Sequence, residues 1–294
     1  MTLSRKSRAA ALSVASNTTL VLLKLVVGVV SQSVSVLSEA IHSANDLVAA
    51  LIAFVSTKVS DRPSDERHPY GYGKAESLSG AVEAALILVA ALWIVVEAVR
   101  KLVHGGEVEH LGLGAAVMGV SALVNTAISL YLFRVAKQED SLALEADAHH
   151  LATDVYTSAG VGAGLLVVWL TGWHVVDPLV AIAVALLIAR IGWQLTVQAG
   201  GQLLDRSLPP AELAEIEKAV RADPRVLDFH RLRSRKSGSD RYVDVHVVLP
   251  ARMGLGEAHE VARGLEAAVE RVLPRTHVVV HVDPDTVVPA SKAR

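Results

Sequence analysis

Apolar residues run in six long stretches through the first two thirds of the chain, at about 11–31, 33–59, 75–100, 111–136, 141–172 and 176–203. A helix needs roughly 20 mostly apolar residues to cross the hydrocarbon core of a bilayer. An open strand edge is not tolerated in lipid, so each stretch predicts a spanning helix. Beyond residue 204 the pattern becomes that of a water-soluble domain. We therefore expect two domains: 1–204, a six-helix transmembrane domain, and 205–294, a small α/β domain. In the second, 207–222 predicts a helix with proline in its first turn. Strands follow at 230–238 and 241–249 around a turn at 236–240, then an amphipathic helix at 256–273 and a strand at 276–284. The order αββαβ, ferredoxin-like, predicts an antiparallel or mixed sheet covered on one face by two helices.

Charge sets the orientation. Arg5, Lys6 and Arg8 precede the first span, Lys58, Arg62, Arg67 and Lys74 flank the loop after the second, and Arg134 and Lys137 close the fourth. The opposite side holds Arg100 and Lys101. The excess predicts that both termini, and hence the soluble domain, are cytoplasmic. Basic residues before an apolar run resemble a signal peptide. However, few apolar residues precede Ala15 and the run continues through Val30, so the first helix is expected to be retained. Gly160 and Gly164 lie one turn apart and offer a small-residue face for close helix approach.

The chain is 20% charged with a net charge of −2, which gives no basic surface for nucleic acid. It has no cysteine. A bound metal would therefore rely on His, Asp, Glu or backbone oxygen.

Such ligands occur inside the spans. His42 and Asp46 in the second are four residues apart and share one helix face, and His150 and Asp154 in the fifth repeat the spacing. Ionisable residues at membrane depth are costly and face a bundle interior or a water-filled cavity. Two such pairs can close two imidazoles and two carboxylates around one ion, a tetrahedral N/O set that suits zinc. Asp147 shares the face of His150 and is expected beside the site, whereas His149 points about 100° away. Glu39, Asn45 and Glu83 are candidates to line a water path or to hold helices by hydrogen bonds. Lys24 and Arg190 are expected to snorkel or pair. In the soluble domain, His230, His246, His259, His281 and Asp283 are zinc-compatible ligands, with His281 and Asp283 on one strand face.

Together the segments SEAIHSANDL (38–47), RPSDERHPYGYGKAESL (62–78), DAHHLATD (147–154), LLDRSLP (203–209) and HVDP (281–284) make the chain resemble the cation diffusion facilitators, of the short bacterial divalent-metal exporter type. The similarity covers nearly the whole chain. It implies a homodimer in the bacterial inner membrane that exports Zn2+ in exchange for protons by alternating access, through His42, Asp46, His150 and Asp154. Co2+, Cd2+, Fe2+ and Mn2+ are further candidate ions. The resemblance also implies a regulatory binuclear site at His230, His246, His259, His281 and Asp283, and a hinge charge pair, Lys74 and Asp205. A loop site maps onto Asp65 and His68, but Tyr72 stands where some relatives have a third ligand. His104, His110, His174 and His277 match no motif and are expected at the surface.

Two other classes compete. A membrane metalloenzyme would need an open coordination position and a base, as in H-E-x-x-H, which the sequence lacks. A non-transporting metal sensor or scaffold would use the soluble domain alone.

Overall fold

The computed structural model describes residues 3–31, 34–104, 113–173 and 175–286. The chain divides into two compact units, Met1–Gly200 and Gly201–Arg294.

The first unit is built from six long helices: α1 (Arg5–Ser31), α2 (Val34–Ser60), α3 (Lys74–His104), α4 (Leu113–Glu139), α5 (Leu142–Thr171) and α6 (Val176–Leu203). Among the described residues, five of them have the length and apolar composition to cross a membrane. The exception, α5, spends its first half on Glu145, Asp147, His149, His150 and Asp154. The pattern of exposure is inverted relative to a soluble protein. Val30, Val29 and Leu123 are 80%, 65% and 73% exposed, whereas Ser7, Ser13, Lys24, Asp46, Glu76, Glu83 and Asp147 are buried. Apolar side chains facing outward and polar ones facing inward suit a bundle surrounded by lipid.

Helix α5 packs against α1, α2, α3 and α4. Its close approach to α6 depends on Gly160, where a Cβ would come within 2.7 Å of Val184. The side-chain surroundings of Gly164 lie outside the described residues. The turn into α5 is tight. Asp140 takes the left-handed conformation (φ 54°) and Ser141 donates its N–H to Ala136 O at 3.0 Å, closing the end of α4.

Helix α1 begins earlier than its apolar run. The Ser4 hydroxyl accepts the Ser7 N–H at 3.1 Å, capping the helix start. Lys6, expected from the sequence in the tail before the first span, is 6% exposed. Its ammonium lies 2.5 Å from Glu76 and 3.2 Å from Asp61, and donates to Ser60 at 2.9 Å. Glu76 also accepts from the hydroxyls of Ser60, at 2.7 Å, and Ser141. One buried cation thus ties together the neighbouring ends of α1, α2, α3 and α5.

The second unit comprises α7 (Pro210–Arg221), β1 (Asp228–Ser237), β2 (Asp240–Leu249), α8 (Leu255–Val272) and β3 (Thr276–Pro284), the expected αββαβ order. The sheet is mixed, with order β1-β2-β3: β1 and β2 are antiparallel, β2 and β3 parallel. One face, carrying Val243, Val245, Val247, Val278, Val280 and Val282, packs against Ile216 and Val220 of α7 and Val261 and Leu265 of α8. The hairpin is tighter than 236–240 suggested. Ser237 already pairs with Asp240, and Gly238 supplies the positive φ (61°) of a two-residue turn.

The Lys6 cluster makes a prediction about stability. Glu76→Ala leaves the buried ammonium to Asp61 and Ser60 and should cost about 1–3 kcal/mol, read as earlier unfolding in detergent. The pair Lys6→Met with Glu76→Gln, which removes the charge from both sides, should recover most of that loss.

Candidate metal centres

Helices α2 and α5 are antiparallel, being the second and fifth members of an up-and-down series, and both carry His-x-x-x-Asp. Reversing one copy against the other sets each histidine opposite the other helix's aspartate. That is the observed arrangement. His150 Nε2 lies 3.3 Å from Asp46 Oδ1, and His42 Nε2 lies 3.5 Å from Asp154 Oδ1. Ligand atoms of His42, Asp46 and Asp154 all fall within 4.8 Å of one another, and His150 joins the group through Asp46. Asp46 is buried while the His42 side chain is 54% exposed, so the group is closed on one side and open on the other.

A fifth residue, not singled out from the sequence, orients the quartet. Asn125 on α4 donates Nδ2–H to Asp154 Oδ2 at 3.2 Å. A lone amide in the fourth apolar run was a signal of the same kind as the histidines, but its target became apparent only once α4 lay beside α5. His149 turns its ring edge-on to Phe133 of α4, with centroids 4.7 Å apart. Lys24 is paired, lying 3.3 Å from Glu39 and donating to Ser43 at 2.8 Å. Asn45 and Arg190 are exposed on their helices.

In the second unit, β-sheet register builds another cluster. His230 on β1 pairs with His246 on β2, and His246 with His281 on β3, so three imidazoles lie in a row across the sheet on the face away from the helices. A bulge follows at once. The register shifts between His230 and Arg233, and Arg231 adopts φ 49°. The extra residue lets Phe229 and Leu232 both join the core while His230 stays on the open face. Asp283 sits two residues beyond His281, on the same face. Its Oδ2 lies 2.9 Å from His246 Nδ1 and 3.3 Å from His230 Nε2, and its Oδ1 lies 3.3 Å from His281 Nε2. Burial works against the Asp283 charge, but the His246 hydrogen bond and the three imidazoles hold its pKa below the ordinary carboxylate range. His259 does not join them. It is exposed on α8, which packs against the opposite face of the sheet.

The loop after α2 is arranged differently. Asp65 Oδ1 accepts the N–H groups of Arg67 and His68 at 3.0 and 2.7 Å, and Oδ2 accepts the Tyr72 hydroxyl at 2.6 Å. These bonds depress the Asp65 pKa, the tyrosine bond foremost, and the same bond raises that of Tyr72. His68 Nδ1 is 3.4 Å from Asp65, and its ring packs on Tyr72. Both Asp65 oxygens are thus occupied in organising the loop. Lys74 opens α3, and Asp205, in the turn two residues past α6, takes the left-handed conformation (φ 55°), 3.4 Å from Arg235. His277 is exposed and stacks on Tyr242, with centroids 5.0 Å apart. His110 and His174, and the side chain of His104, lie outside the described residues.

Six long helices with a polar interior, five of them apolar enough to cross a membrane among the described residues, followed by a small α/β unit, define an integral membrane protein with an attached α/β domain. Residues 10–204 match the cation efflux transmembrane domain, and residues 208–285 match the cation efflux protein cytoplasmic domain. The chain belongs to this family, the cation diffusion facilitators, and is a cation-efflux transporter whose cytoplasmic domain is of the dimer-forming kind. The chain is 32% identical to the cation-efflux pump FieF of Klebsiella pneumoniae, over 97% of this chain and 95% of that one. It is 34% identical to the uncharacterized transporter sll1263 of Synechocystis sp., over 89% of this chain and 85% of that one. Among solved structures, the metal-bound C-terminal domain of the CzcD transporter from Thermotoga maritima is 22% identical, covering 28% of this chain and all of that domain, with a TM-score of 0.26.

Two predictions follow from the geometry. Asn125→Ala releases Asp154 and should weaken metal binding by the membrane quartet by roughly 10–100-fold, measured by titration of the full-length protein in detergent. For Asp283, the depressed pKa stabilises the fold above the unfolded carboxylate value of about 3.9, and that contribution is lost as pH falls through the lower, folded value. In metal-free protein, hydrogen exchange of β2 and β3 should therefore be slower for wild type than for Asp283→Asn above about pH 4. The two should converge on further acidification.

Proposed function

We propose that the chain exports a divalent cation from the cytoplasm, Zn2+ foremost, through His42, Asp46, His150 and Asp154. The observation that carries this reading is the crossed pairing of two imidazoles and two carboxylates on antiparallel helices. Two nitrogens and two oxygens from rigid elements form a ligand set suited to tetrahedral zinc. Co2+, Cd2+, Fe2+ and Mn2+ are the ions against which selectivity is to be measured.

The same donor set supports exchange with protons. A metal ligand must be free of its proton, so cation and protons compete for the same lone pairs. The excess of Lys and Arg on one side supports an orientation with both termini cytoplasmic, in the inner membrane of a bacterium. His230, His246, His281 and Asp283 are proposed as a regulatory metal centre in the cytoplasmic domain of a homodimer, with His259 as a ligand that this arrangement of one chain leaves apart. Lys74 and Asp205 are proposed as a charge pair that positions the junction between the domains. Zinc needs three or four protein ligands. Asp65 and His68 are therefore the least supported of the proposed sites, since Tyr72 supplies a hydrogen-bond donor where a third ligand would stand.

Sealed vesicles containing the purified protein test the central claim. With a proton gradient imposed and a metal-sensitive dye inside, wild type should move zinc, whereas Asp46→Ala and Asp154→Ala, checked for folding, should not. Equal flux from all three would remove these carboxylates from the pathway. Flux without the four membrane ligands but dependent on the cytoplasmic histidines would point to the sensor reading instead.

A further inference from the structure

The transport quartet leaves two enclosed carboxyl groups unused. Glu83 on α3 and Asp147 on α5 are both 0% exposed. Ser79 donates to Glu83 Oε1 at 3.1 Å, but Glu83 Oε2 and both oxygens of Asp147 have no hydrogen-bond partner. The hydroxyl of Ser13 on α1 faces Asp147 without completing a bond, and Asn17 Nδ2, a turn further along α1, is likewise unpartnered. Buried polar atoms with no partner mark places where water or a small cation completes the structure. The charged groups acting on Asp147 are His150 and Asp46 as well as Glu83, and on Glu83 the charged neighbour is Asp147.

The cation that fits is a proton. Zinc takes three or four ligands, and among the described residues Glu83 and Asp147 belong to neither group with metal-binding geometry. Along the helices, Asp147 lies about one turn before His150, toward the end of the bundle where α3 and α5 begin. We propose that Glu83 and Asp147 form a proton-carrying pair for the transport cycle, separate from the metal ligands. A proton displaced from the quartet by an incoming cation bonds to a carboxylate oxygen of the pair. That O–H bond then breaks and the proton passes to water at the near end of the bundle. This rests on the proton-exchange reading above.

The test uses full-length protein in vesicles with a pH dye and a metal dye, comparing wild type with Glu83→Gln and Asp147→Asn. Each variant keeps the side chain's shape and loses its exchangeable proton. The expected result is unchanged metal affinity, a lower ratio of protons to metal moved and a flatter pH dependence of flux. Glu83→Asp, which restores a carboxyl group, should bring the ratio back toward wild type. Infrared difference spectra of wild type should show a protonated-carboxyl band that changes when metal is added and is lost in Glu83→Gln. Wild type moving protons while both variants keep its ratio and pH profile overturns the inference and leaves exchange intact. Loss of metal binding in Glu83→Gln overturns it by making Glu83 a ligand. Metal flux in wild type without any proton flux overturns the exchange reading and this inference together. Should both variants fail to fold, an infrared spectrum of wild type that is silent on metal addition overturns it alone.

Discussion

A charge held among apolar helices has little water to turn to, so Lys6, Lys24 and the His and Asp pairs of this bundle each meet a counterpart on another segment. That constraint organises the membrane domain from one end to the other. Lys24 and Glu39 join α1 to α2, the crossed His and Asp pairs join α2 to α5, and Lys6 joins α1 to Asp61 beyond α2 and to Glu76 of α3. Each contact links different helices, so the charges fix how the helices sit against one another. Their apolar outer faces, which would pack equally well against lipid, cannot do this.

The quartet shows how little new information such a site requires. One four-residue motif, used twice on antiparallel helices, gives two reciprocal contacts of nearly equal length, 3.3 and 3.5 Å. Each carboxylate lies against an imidazole of the other helix, and each imidazole against a carboxylate. Asn125 adds a neutral donor that fixes Asp154 without competing for the ion's charge. The small difference between the two ends, with Asp46 buried and His42 exposed, gives the site an open side.

In the cytoplasmic domain the same ligand types are assembled by a different device. Strand register places His230, His246 and His281 side by side, and the bulge at Arg231 reconciles that row with the apolar core beneath it. Without the extra residue, alternation could not put both Phe229 and Leu232 in the core with His230 on the opposite face. The helices occupy the valine face, which leaves the histidine face uncovered within one chain.

The six long helices, the order αββαβ and the two His-x-x-x-Asp pairs were legible in the sequence, because each is a local pattern: about twenty apolar residues, a period of two or 3.6, a spacing of one helical turn. The start of α1 is not legible in this way, since Ser4 and Lys6 look like a charged tail until Glu76 is beside them. Which histidine meets which aspartate, that Asn125 holds Asp154, that the Tyr72 hydroxyl bonds Asp65 and that His259 stands away from the other histidines of its domain became visible in the folded chain. Those are contacts between segments distant in the chain. Their distances depend on helix direction, strand register and a bulge, which no local pattern of polar and apolar residues encodes.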